Sequence, residues 1–516
     1  MNGLDESLAK ITKGAGIAFV GSLFALFLAF MSKVMVARIG TEAGYGVFSL
    51  AFVVLNVCTL IATLGLQQGA AQNIAYARGK NDTKSILRLI IASIQFGLLT
   101  SISLSIIVFF FAPFMAKNIF HDTNLILPLK IFALGIPFFT LIDILVSIFR
   151  GFNDVKPKVY FQDVLGRSIF LLLLLPLMFF KLSFDNVFYA FLASLIIPCA
   201  ILMISLSKRL AVPLRLILSM RVSPVAIQLI RFSFPLLGVA LLGFIITWTD
   251  TLMLGYFSTS AKVGLYNAAV PFAQFISAPI AAMLLIYMPV TSGLHARNML
   301  PEIRRNFPVL TRWLCSVTFP SFLVLFIYPR SVLSLFFGAD YILADNALRI
   351  LSLGFMLHNF MGPNGGTLIA LGRSRFMMWN TLGATLLNIG LNAAFIPRWG
   401  IEGAAIASAI SITTASAVRC GKLYSLIGAQ PLSKNLIKPV LASLLLVFLF
   451  HFIITNFFKI SPWMFPLLFI LYYVIYGFAV LFTKSFGQED IAILLLIEEK
   501  IGINMSPIKK ILRRFL

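Results

Sequence analysis

Five ionisable residues lie inside apolar segments of this chain, where a charge is costly and therefore informative. They are Lys33, Asp143, Asp163, Arg167 and Asp250. A charged side chain at the centre of a bilayer costs about 2.5–3.5 kcal/mol on insertion scales, so it usually faces the interior of the protein and has a partner. The chemistry open to such residues is the binding of ions or of a charged solute that crosses the membrane.

Lys33 and Asp250 are predicted to lie at matched depth in two different segments. Lys33 precedes Arg38, at the outer end of its segment, which places it about 7–8 Å below that end. Asp250 lies about 9 Å below the outer end of its own segment. With Arg38 they could bind an anionic group, while Asp250 pairs with Lys33 or carries a coupling cation. The alternatives are a static ion pair, or a lysine that extends its ammonium group to the membrane surface.

Asp143, Asp163 and Arg167 form a second group. Asp163 and Arg167 are spaced i, i+4, so their side chains share one face of a helix. Asp143 belongs to the preceding, antiparallel segment and reaches a similar height, roughly 10–14 Å from the inner ends of the two helices. We interpret the group as a self-neutralised structural cluster, and the alternative is a relay for protons or sodium ions.

Uncharged polar residues in the apolar segments include Asn56, Asn267 and Gln274. Their side-chain amides could hydrogen-bond the hydroxyl groups of a sugar. They could equally tie neighbouring helices together in lipid, which is a common role for such residues in membrane bundles. Both roles stay open at this point.

Two segments carry residues that interrupt a helix. Pro271 interrupts one of them. The run GPNGG (Gly362–Gly366) interrupts the other, and it contains Pro363 and Gly365. A broken helical ladder is tolerated at membrane depth only against protein or a water-filled cavity. We predict a hinge at each place, with a passive kink as the alternative.

The segments that hold these residues belong to an all-α polytopic membrane protein. Of the 516 residues, 60% are hydrophobic and 11% are charged, whereas soluble domains have about 25% charged residues. Apolar runs reach the roughly 20 residues that a helix needs to cross a bilayer. The alternating ten-residue pattern of membrane β-barrels is absent. The chain is predicted to have about 14 transmembrane helices.

The net charge of +23 is better explained by membrane topology than by binding to nucleic acid. Lys and Arg number 30 in one set of alternate connections between the predicted helices and 9 in the other set. Basic residues concentrate in the cytoplasmic loops of membrane proteins. We therefore predict a multi-pass protein of the cytoplasmic membrane with both termini in the cytoplasm.

An internal repeat organises the predicted helices. GVFSLA (Gly46–Ala51) resembles GLYNAA (Gly264–Ala269) at an offset of 218 residues, and LKIFALG (Leu129–Gly135) resembles LRILSLG (Leu348–Gly354) at an offset of 219. Six predicted helices make up one repeat, so both copies cross the membrane in the same sense. Parallel repeats are related by an axis along the membrane normal. The sequence thus predicts two six-helix lobes related by a pseudo-twofold, plus two extra C-terminal helices.

The repeat also sets the predicted domain boundaries. The N-terminal lobe covers residues 1–207, and the C-terminal lobe covers residues 232–424. Residues 208–231 mix basic and apolar side chains, which predicts an amphipathic cytoplasmic linker. The two additional helices fall in residues 425–484, and residues 485–516 form an amphipathic cytoplasmic tail.

Motifs for common enzyme chemistries are missing from the sequence. It contains neither a GxxxxGK[ST] phosphate loop nor an HExxH motif, and its four His are scattered over different segments. Its four Cys are not spaced as a metal site or a disulfide framework would require. The predicted outer connections are too short for a catalytic domain. We predict a transporter rather than an enzyme, with no cofactor and no metal.

Three stretches carry a family resemblance: ARIGTEAGYGVFSLA (Ala37–Ala51), LIALGRSR (Leu368–Arg375) and NIGLNAAFIPRWGIEGAAIASAI (Asn388–Ile410). In this order and spacing they resemble the polysaccharide-transporter family of Wzx-type flippases. That family shares a superfamily with multidrug and toxin extruders and with lipid II flippases. The resemblance covers nearly the whole chain. It implies twelve core helices in two lobes and a central cavity with cationic residues, for which Lys33 and Arg38 fit.

The resemblance also implies a substrate, an oligosaccharide on a polyprenyl (pyro)phosphate carrier that is flipped from the inner to the outer leaflet by alternating access. The membrane potential or cation exchange would aid the transfer. Besides this substrate and membrane lipids, other membrane proteins of polysaccharide assembly are candidate partners. The alternative is a cation-coupled multidrug or small-molecule antiporter of the same fold. A lipid II flippase is less favoured, because the first helices carry one Lys and one rim Arg rather than several Arg, and so is a membrane glycan polymerase.

Overall fold

A computed structural model describes residues 21, 23–210, 224–457 and 464–482. Over these ranges the chain is helical and contains no β-strand. Its contacts divide it into two compact units, Met1–Gly264 and Leu265–Leu516, called here the N-terminal and the C-terminal unit. The predicted tail at 485–516 and most of the predicted linker at 208–231 lie outside the described residues.

The N-terminal unit contains eight helices within its described residues and the start of a ninth. They are α1 (residues 23–39), α2 (Glu42–Ala62), α3 (Leu66–Gly79), α4 (Thr83–Phe114), α5 (Ile126–Gly151), α6 (Gly166–Phe179), α7 (Asn186–Leu210), α8 (Pro224–Phe257) and α9 (Ser260–Ala296). A π-helical segment, Lys158–Leu165, leads directly into α6.

The C-terminal unit continues from α9 with seven further helices in its described part. They are α10 (Leu300–Ile327), α11 (Pro329–Phe336), α12 (Asp345–Phe360), α13 (Asn364–Ala370), α14 (Ser374–Ile427), α15 (Ile437–Phe457) and α16 (Phe465–Phe482). Tyrosines hold the last helix in place: the Tyr476 hydroxyl donates to the carbonyl oxygen of Ser316 on α10 (2.9 Å), and Tyr473 bonds Ser321 on the same helix.

Eleven helices in the described part of the chain are long and apolar enough to cross a membrane. One of them, α14, supplies two crossings, because Gly400 has non-helical dihedral angles (φ 58°, ψ −125°) in the middle of its 54 residues. Helix α1 and the broken pair α12–α13 are the remaining candidates for a crossing. The prediction of an all-α polytopic protein with about fourteen spans is confirmed.

The second span is broken into α2 and α3 at Gly65. This residue has a positive φ of 76°, a conformation that side chains with a Cβ rarely adopt. A Cβ at Gly65 would also overlap the carbonyl oxygen of Ser233 on α8. The glycine therefore both turns the chain and lets α3 approach α8 closely, which fixes the direction in which α3 presents its polar residues.

The first turns of α2 and α9 meet at a pair of glycines. A Cβ on Gly46 would overlap the carbonyl oxygen of Ser260, and a Cβ on Gly264 would overlap the carbonyl oxygen of Glu42. Both pairs of residues, 42 with 260 and 46 with 264, are equivalent at the repeat offset of 218. Such an exchange of contacts is what a local twofold axis produces, since residue i touches j and j touches i.

Candidate functional site

The Asp143 carboxylate lies on α5 and is held by two glutamines. It accepts a hydrogen bond of 2.6 Å from Nε2 of Gln162, in the π-helical segment, and another from Nε2 of Gln67, in the first turn of α3. Hydrogen bonds to an ionised group are the stronger kind, so the two amides stabilise the charged form of the carboxylate. Neither glutamine was predicted from the sequence to belong to this group, although Gln162 directly precedes Asp163.

Asp163 and Arg167 form the ion pair that their spacing suggests. Nη2 of Arg167 lies 4.0 Å from Oδ1 of Asp163. The guanidinium also donates through Nη1 to the carbonyl oxygen of Ala25, so it joins the start of α6 to α1. Gln162 and Asp163 both belong to the π-helical segment that precedes α6. Insertions of this type inside an α-helix occur frequently at functional sites.

Lys33 lies on α1 next to this group. Its side chain is half-buried between the buried neighbours Ser32 and Val34. Arg167 is the charged residue near enough to influence Lys33, and the two repel because both are positively charged. Over the described residues Lys33 has neither a hydrogen bond nor an ion pair, and Asp250 is not its partner. Through Arg167 the structure thus brings Lys33, but not Asp250, to the second group.

We call the residues Lys33, Asp143, Lys158, Asp163 and Arg167 the cationic cluster. Lys158 is the first residue of the π-helical segment, and its charge attracts both carboxylates. The two carboxylates also repel each other. With three basic and two acidic side chains, the cluster has a formal net charge of +1. The sequence predicted a self-neutralised group of Asp143, Asp163 and Arg167, and Lys33 and Lys158 make its net charge positive.

The other predicted lumen residues have different surroundings. Arg38 is exposed at the end of α1, and Asp250 is half-buried on α8. The side-chain amide of Asn56 donates to the carbonyl oxygen of Phe52 at 2.7 Å, so it is hydrogen-bonded within its own helix. On α9, Asn267 is buried and Gln274 is exposed.

The predicted hinge at GPNGG coincides with a break in the helix. Helix α12 ends at Phe360 and α13 begins at Asn364, with Pro363 at its start and Gly365 in its first turn. Between them, Gly362 has a φ of 68°, and a Cβ there would overlap the side chain of Thr311. The other predicted hinge residue, Pro271, lies within the continuous helix α9.

Around this break the C-terminal unit has a polar group that the sequence analysis missed. Arg419 donates through Nε to Oδ1 of Asn380 at 2.6 Å, and the His358 ring is hydrogen-bonded to the Ser416 hydroxyl. Arg419 is one of the 30 basic residues in the predominantly basic set of predicted connections, so the sequence did not predict it inside a span. Its four-residue spacing from the small Ala415 and the apolar Leu423 could have shown that it continues the inner face of the helix.

No set of three His, Cys, Asp or Glu side chains that could hold a metal ion comes together in the described ranges. The chemistry that the described polar residues can offer is hydrogen bonding and charge: a cationic cluster in one unit, and an arginine beside a histidine in the other.

A family model described as "Polysaccharide biosynthesis protein" matches residues 11–295. Stage V sporulation protein B of Bacillus subtilis (strain 168) is 23% identical over 428 residues, which are 78% of this chain and 81% of that protein. The probable flippase AglR of Haloferax volcanii is 29% identical over 221 residues, 39% of this chain and 44% of that protein. The probable low-salt glycan biosynthesis flippase Agl15 of the same organism is 23% identical over 191 residues, 36% and 40% of the two chains.

Solved structures share the fold. A lipid II flippase MurJ in an inward closed conformation superimposes with a TM-score of 0.69 at 16% identity, over 89% of this chain and 97% of that one. An inward-facing multidrug resistance transporter of the MATE family superimposes with a TM-score of 0.63 at 17% identity, over 78% of this chain and 94% of that one. At these identities the likeness concerns the fold alone.

Proposed function

Because this chain belongs to the polysaccharide biosynthesis protein family, we propose that it is a flippase for an oligosaccharide linked to a polyprenyl (pyro)phosphate. The substrate moves from the inner to the outer leaflet by alternating access. The relatives that are named as probable flippases, and the fold shared with a lipid II flippase, support this proposal. The expected location is the cytoplasmic membrane, with both termini in the cytoplasm.

The observation that carries the proposal is that Arg167 hydrogen-bonds α1 at Ala25, on the same helix as Lys33, which brings two cations into one part of the N-terminal unit. Two cations near each other at membrane depth repel, and each has lost part of its hydration, so the arrangement is unfavourable on its own. An anion at this place would supply the counter-charge that Lys33 lacks and would add to the partners of Arg167. A phosphate group supplies the charge and several acceptor oxygens, and charge-assisted hydrogen bonds to it are about twice as strong as neutral ones.

The sign of the charge also favours outward transfer. The interior of a cell is electrically negative, so an anionic headgroup gains about 2.3 kcal/mol per elementary charge when it moves outward through 100 mV. Cation exchange is a second source of energy, and the carboxylates of Asp143, Asp163 and Asp250 are the candidates to carry the cation.

The test is a flipping assay with purified protein in vesicles. A fluorescent lipid-linked oligosaccharide is placed in both leaflets, and an impermeant quencher or a glycosidase added outside reports how fast the inner pool becomes accessible. We expect transfer with the polyprenyl-linked glycan and little transfer with a phospholipid that bears the same fluorophore. Equal rates with and without the protein would refute the proposal.

One observation favours a second function, a cation-coupled antiporter for drugs or other small molecules. Asp143 is a half-buried carboxylate whose hydrogen-bond donors are the neutral amides of Gln67 and Gln162 rather than a cation, which suits a group that binds and releases protons. The fold is shared with a multidrug transporter. Uptake of a cationic dye into vesicles in exchange for protons, abolished by Asp143→Asn, would support this alternative. Dye uptake that is independent of the protein would reject the antiporter and leave the flippase as the proposed function.

A further inference from the structure

Arg419 is a further cation that lies deep in a membrane span, on α14 of the C-terminal unit. It precedes the helix end at Ile427 by eight residues, a distance of about 12 Å along the axis. It shares a helix face with Ala415, Ser416 and Leu423, all of which are buried. The guanidinium therefore points toward the interior of the unit rather than toward lipid.

The charge of Arg419 is not neutralised by any carboxylate in the part of the chain that the structure describes. Its Nε donates to Asn380, and its two terminal nitrogens have no acceptor among those residues. An inward-facing arginine at this depth is costly unless a partner compensates it. Because the described residues provide no counter-charge there, we expect the partner to be an anion that binds reversibly.

Arg419 lies beside the break between α12 and α13 and near a buried polar atom that has no hydrogen-bond partner among the described residues. Its Nη1 lies 3.7 Å from the position that a Cβ on Gly365 would take, so the guanidinium borders the break between α12 and α13. His358 is close enough to be acted on by its charge. Asn364 donates through Nδ2 to the carbonyl oxygen of Ser416 at 3.3 Å. Its Oδ1 is buried and has no hydrogen-bond partner within the described residues.

We propose that Arg419, His358 and Asn364 bind a lipid-borne phosphate from the inner leaflet. A guanidinium presents parallel N–H groups that match two phosphate oxygens, and the orphaned Oδ1 of Asn364 accepts from a hydroxyl or a protonated phosphate oxygen. The site lies about 12 Å from the inner end of α14, within reach of the headgroup region of the cytoplasmic leaflet. This inference deepens the proposed function, and rests on it in naming a polyprenyl carrier as the source of the phosphate.

Binding, measured in detergent without any transport, tests the site. The probes are farnesyl diphosphate, phosphatidylglycerol, inorganic phosphate and, as an uncharged control, farnesol. We expect farnesyl diphosphate to raise the melting temperature of the wild-type protein and farnesol to have no such effect. Arg419→Gln should weaken that binding by about tenfold or more, because it removes a charged hydrogen-bonding partner.

Lys422→Gln is the matched control. This residue is one turn further along α14, and its ammonium packs over the ring of Phe376 at 5.9 Å. Its substitution should leave the affinity for farnesyl diphosphate unchanged. Asn364→Asp gives a second variant if Arg419→Gln does not fold, and it should also weaken binding, since an added carboxylate neutralises the arginine.

Each outcome decides the assignment. Stabilisation by phosphatidylglycerol that depends on Arg419 supports the site and identifies a phospholipid headgroup as its occupant. Equal affinity of the wild type and Arg419→Gln for every probe would overturn the proposal. So would inorganic phosphate that binds as tightly as farnesyl diphosphate, because the ligand would then not be a lipid. A failure of flipping with intact Arg419-dependent binding would count against the proposed function alone.

Discussion

At the scale of single residues, the charges inside the spans differ in how they are compensated. Asp143 has two amide donors, and Arg167 has both a carboxylate and a backbone carbonyl. Lys33 has only a like charge beside it. A charged residue whose burial is compensated by partners within the protein can be structural. A charged residue without such partners is the better candidate for binding a ligand.

Removing the lysine should therefore impair transport more than it impairs folding. We expect Lys33→Ala and Arg167→Gln each to lower the flipping rate by roughly tenfold or more, since hydrogen bonds to charged groups contribute about 1.5–3 kcal/mol. The measurement is the vesicle flipping assay, together with the melting temperature of each variant.

The matched control for these variants is Lys130→Ala. Lys130 is also half-buried in a span, but its ammonium packs over the ring of Phe109 at 5.3 Å. Its substitution should leave the flipping rate near that of the wild type. A Lys33→Ala protein that flips the glycan as fast as the Lys130→Ala protein would show that Lys33 extends to the membrane surface or is structural.

The glutamines around Asp143 should matter for stability. Gln162→Leu removes a donor from a half-buried carboxylate, so we expect it to destabilise the protein by about 1–3 kcal/mol. Thermal unfolding in detergent measures this. Gln68→Leu is the control, because Gln68 is exposed and is the neighbour of Gln67, the other hydrogen-bond donor to Asp143. Equal melting temperatures of the two variants would argue that the Asp143 network contributes nothing to the fold.

At the scale of helices, glycines decide which elements can approach each other. Gly65 breaks the second span and brings α3 against α8, and this places Gln67 beside Asp143. Gly46 and Gly264 let the first turns of α2 and α9 touch through their backbones. Side chains with a Cβ would force these helices apart, so the polar groups depend on positions that carry no chemistry of their own.

Substitution at the paired glycines should have matched effects. Gly46→Ala and Gly264→Ala each place a methyl group on a backbone carbonyl, which cannot move aside as a side chain could. We expect a loss of about 1–3 kcal/mol or more for each, seen as a lower melting temperature.

Gly238→Ala on α8 provides the control, since nothing lies within 4 Å of a Cβ at that position. Alanine is there expected to be neutral or to stabilise the helix, by up to about 1 kcal/mol. If Gly46→Ala melted at the same temperature as Gly238→Ala, the close contact of α2 with α9 would not be a feature of the stable fold.

At the scale of the whole molecule, the chain is a helical membrane protein with a transporter fold that is shared with flippases and multidrug transporters. The fold does not by itself set the charge of the substrate, so the sign of the charges inside the spans bears on it. The cationic cluster in the N-terminal unit and Arg419 in the C-terminal unit both favour an anionic substrate. The proposed energy source depends on that sign.

An imposed membrane potential should change the flipping rate in a defined direction. With the cytoplasmic side negative, we expect faster transfer of the anionic headgroup to the outer leaflet, by up to about 2.3 kcal/mol per charge in 100 mV. Reversal of the potential should slow the same transfer. A rate that responds to neither the potential nor an ion gradient would leave downhill facilitation as the mechanism.

Composition, repeat and motif order were enough to predict much of this protein. Long apolar runs can cross a bilayer only as helices, because every backbone polar group must be satisfied within the segment. The class of fold and the family therefore follow from the sequence, and so does the spacing that allows Asp163 and Arg167 to pair. Gly46 and Gly264 are equivalent in the repeat, and the structure shows that their helices meet there.

The partners of the charges were decided by the tertiary structure. Lys33 and Arg167 are 134 positions apart in the chain, and no periodicity predicts that α1 and α6 bring like charges together. Gln67 reaches Asp143 because Gly65 turns the chain, and Arg419 borders the α12–α13 break because α14 packs there. Electrostatic interactions depend on distance and on burial, and both are properties of packed helices and not of the spacing of residues along them.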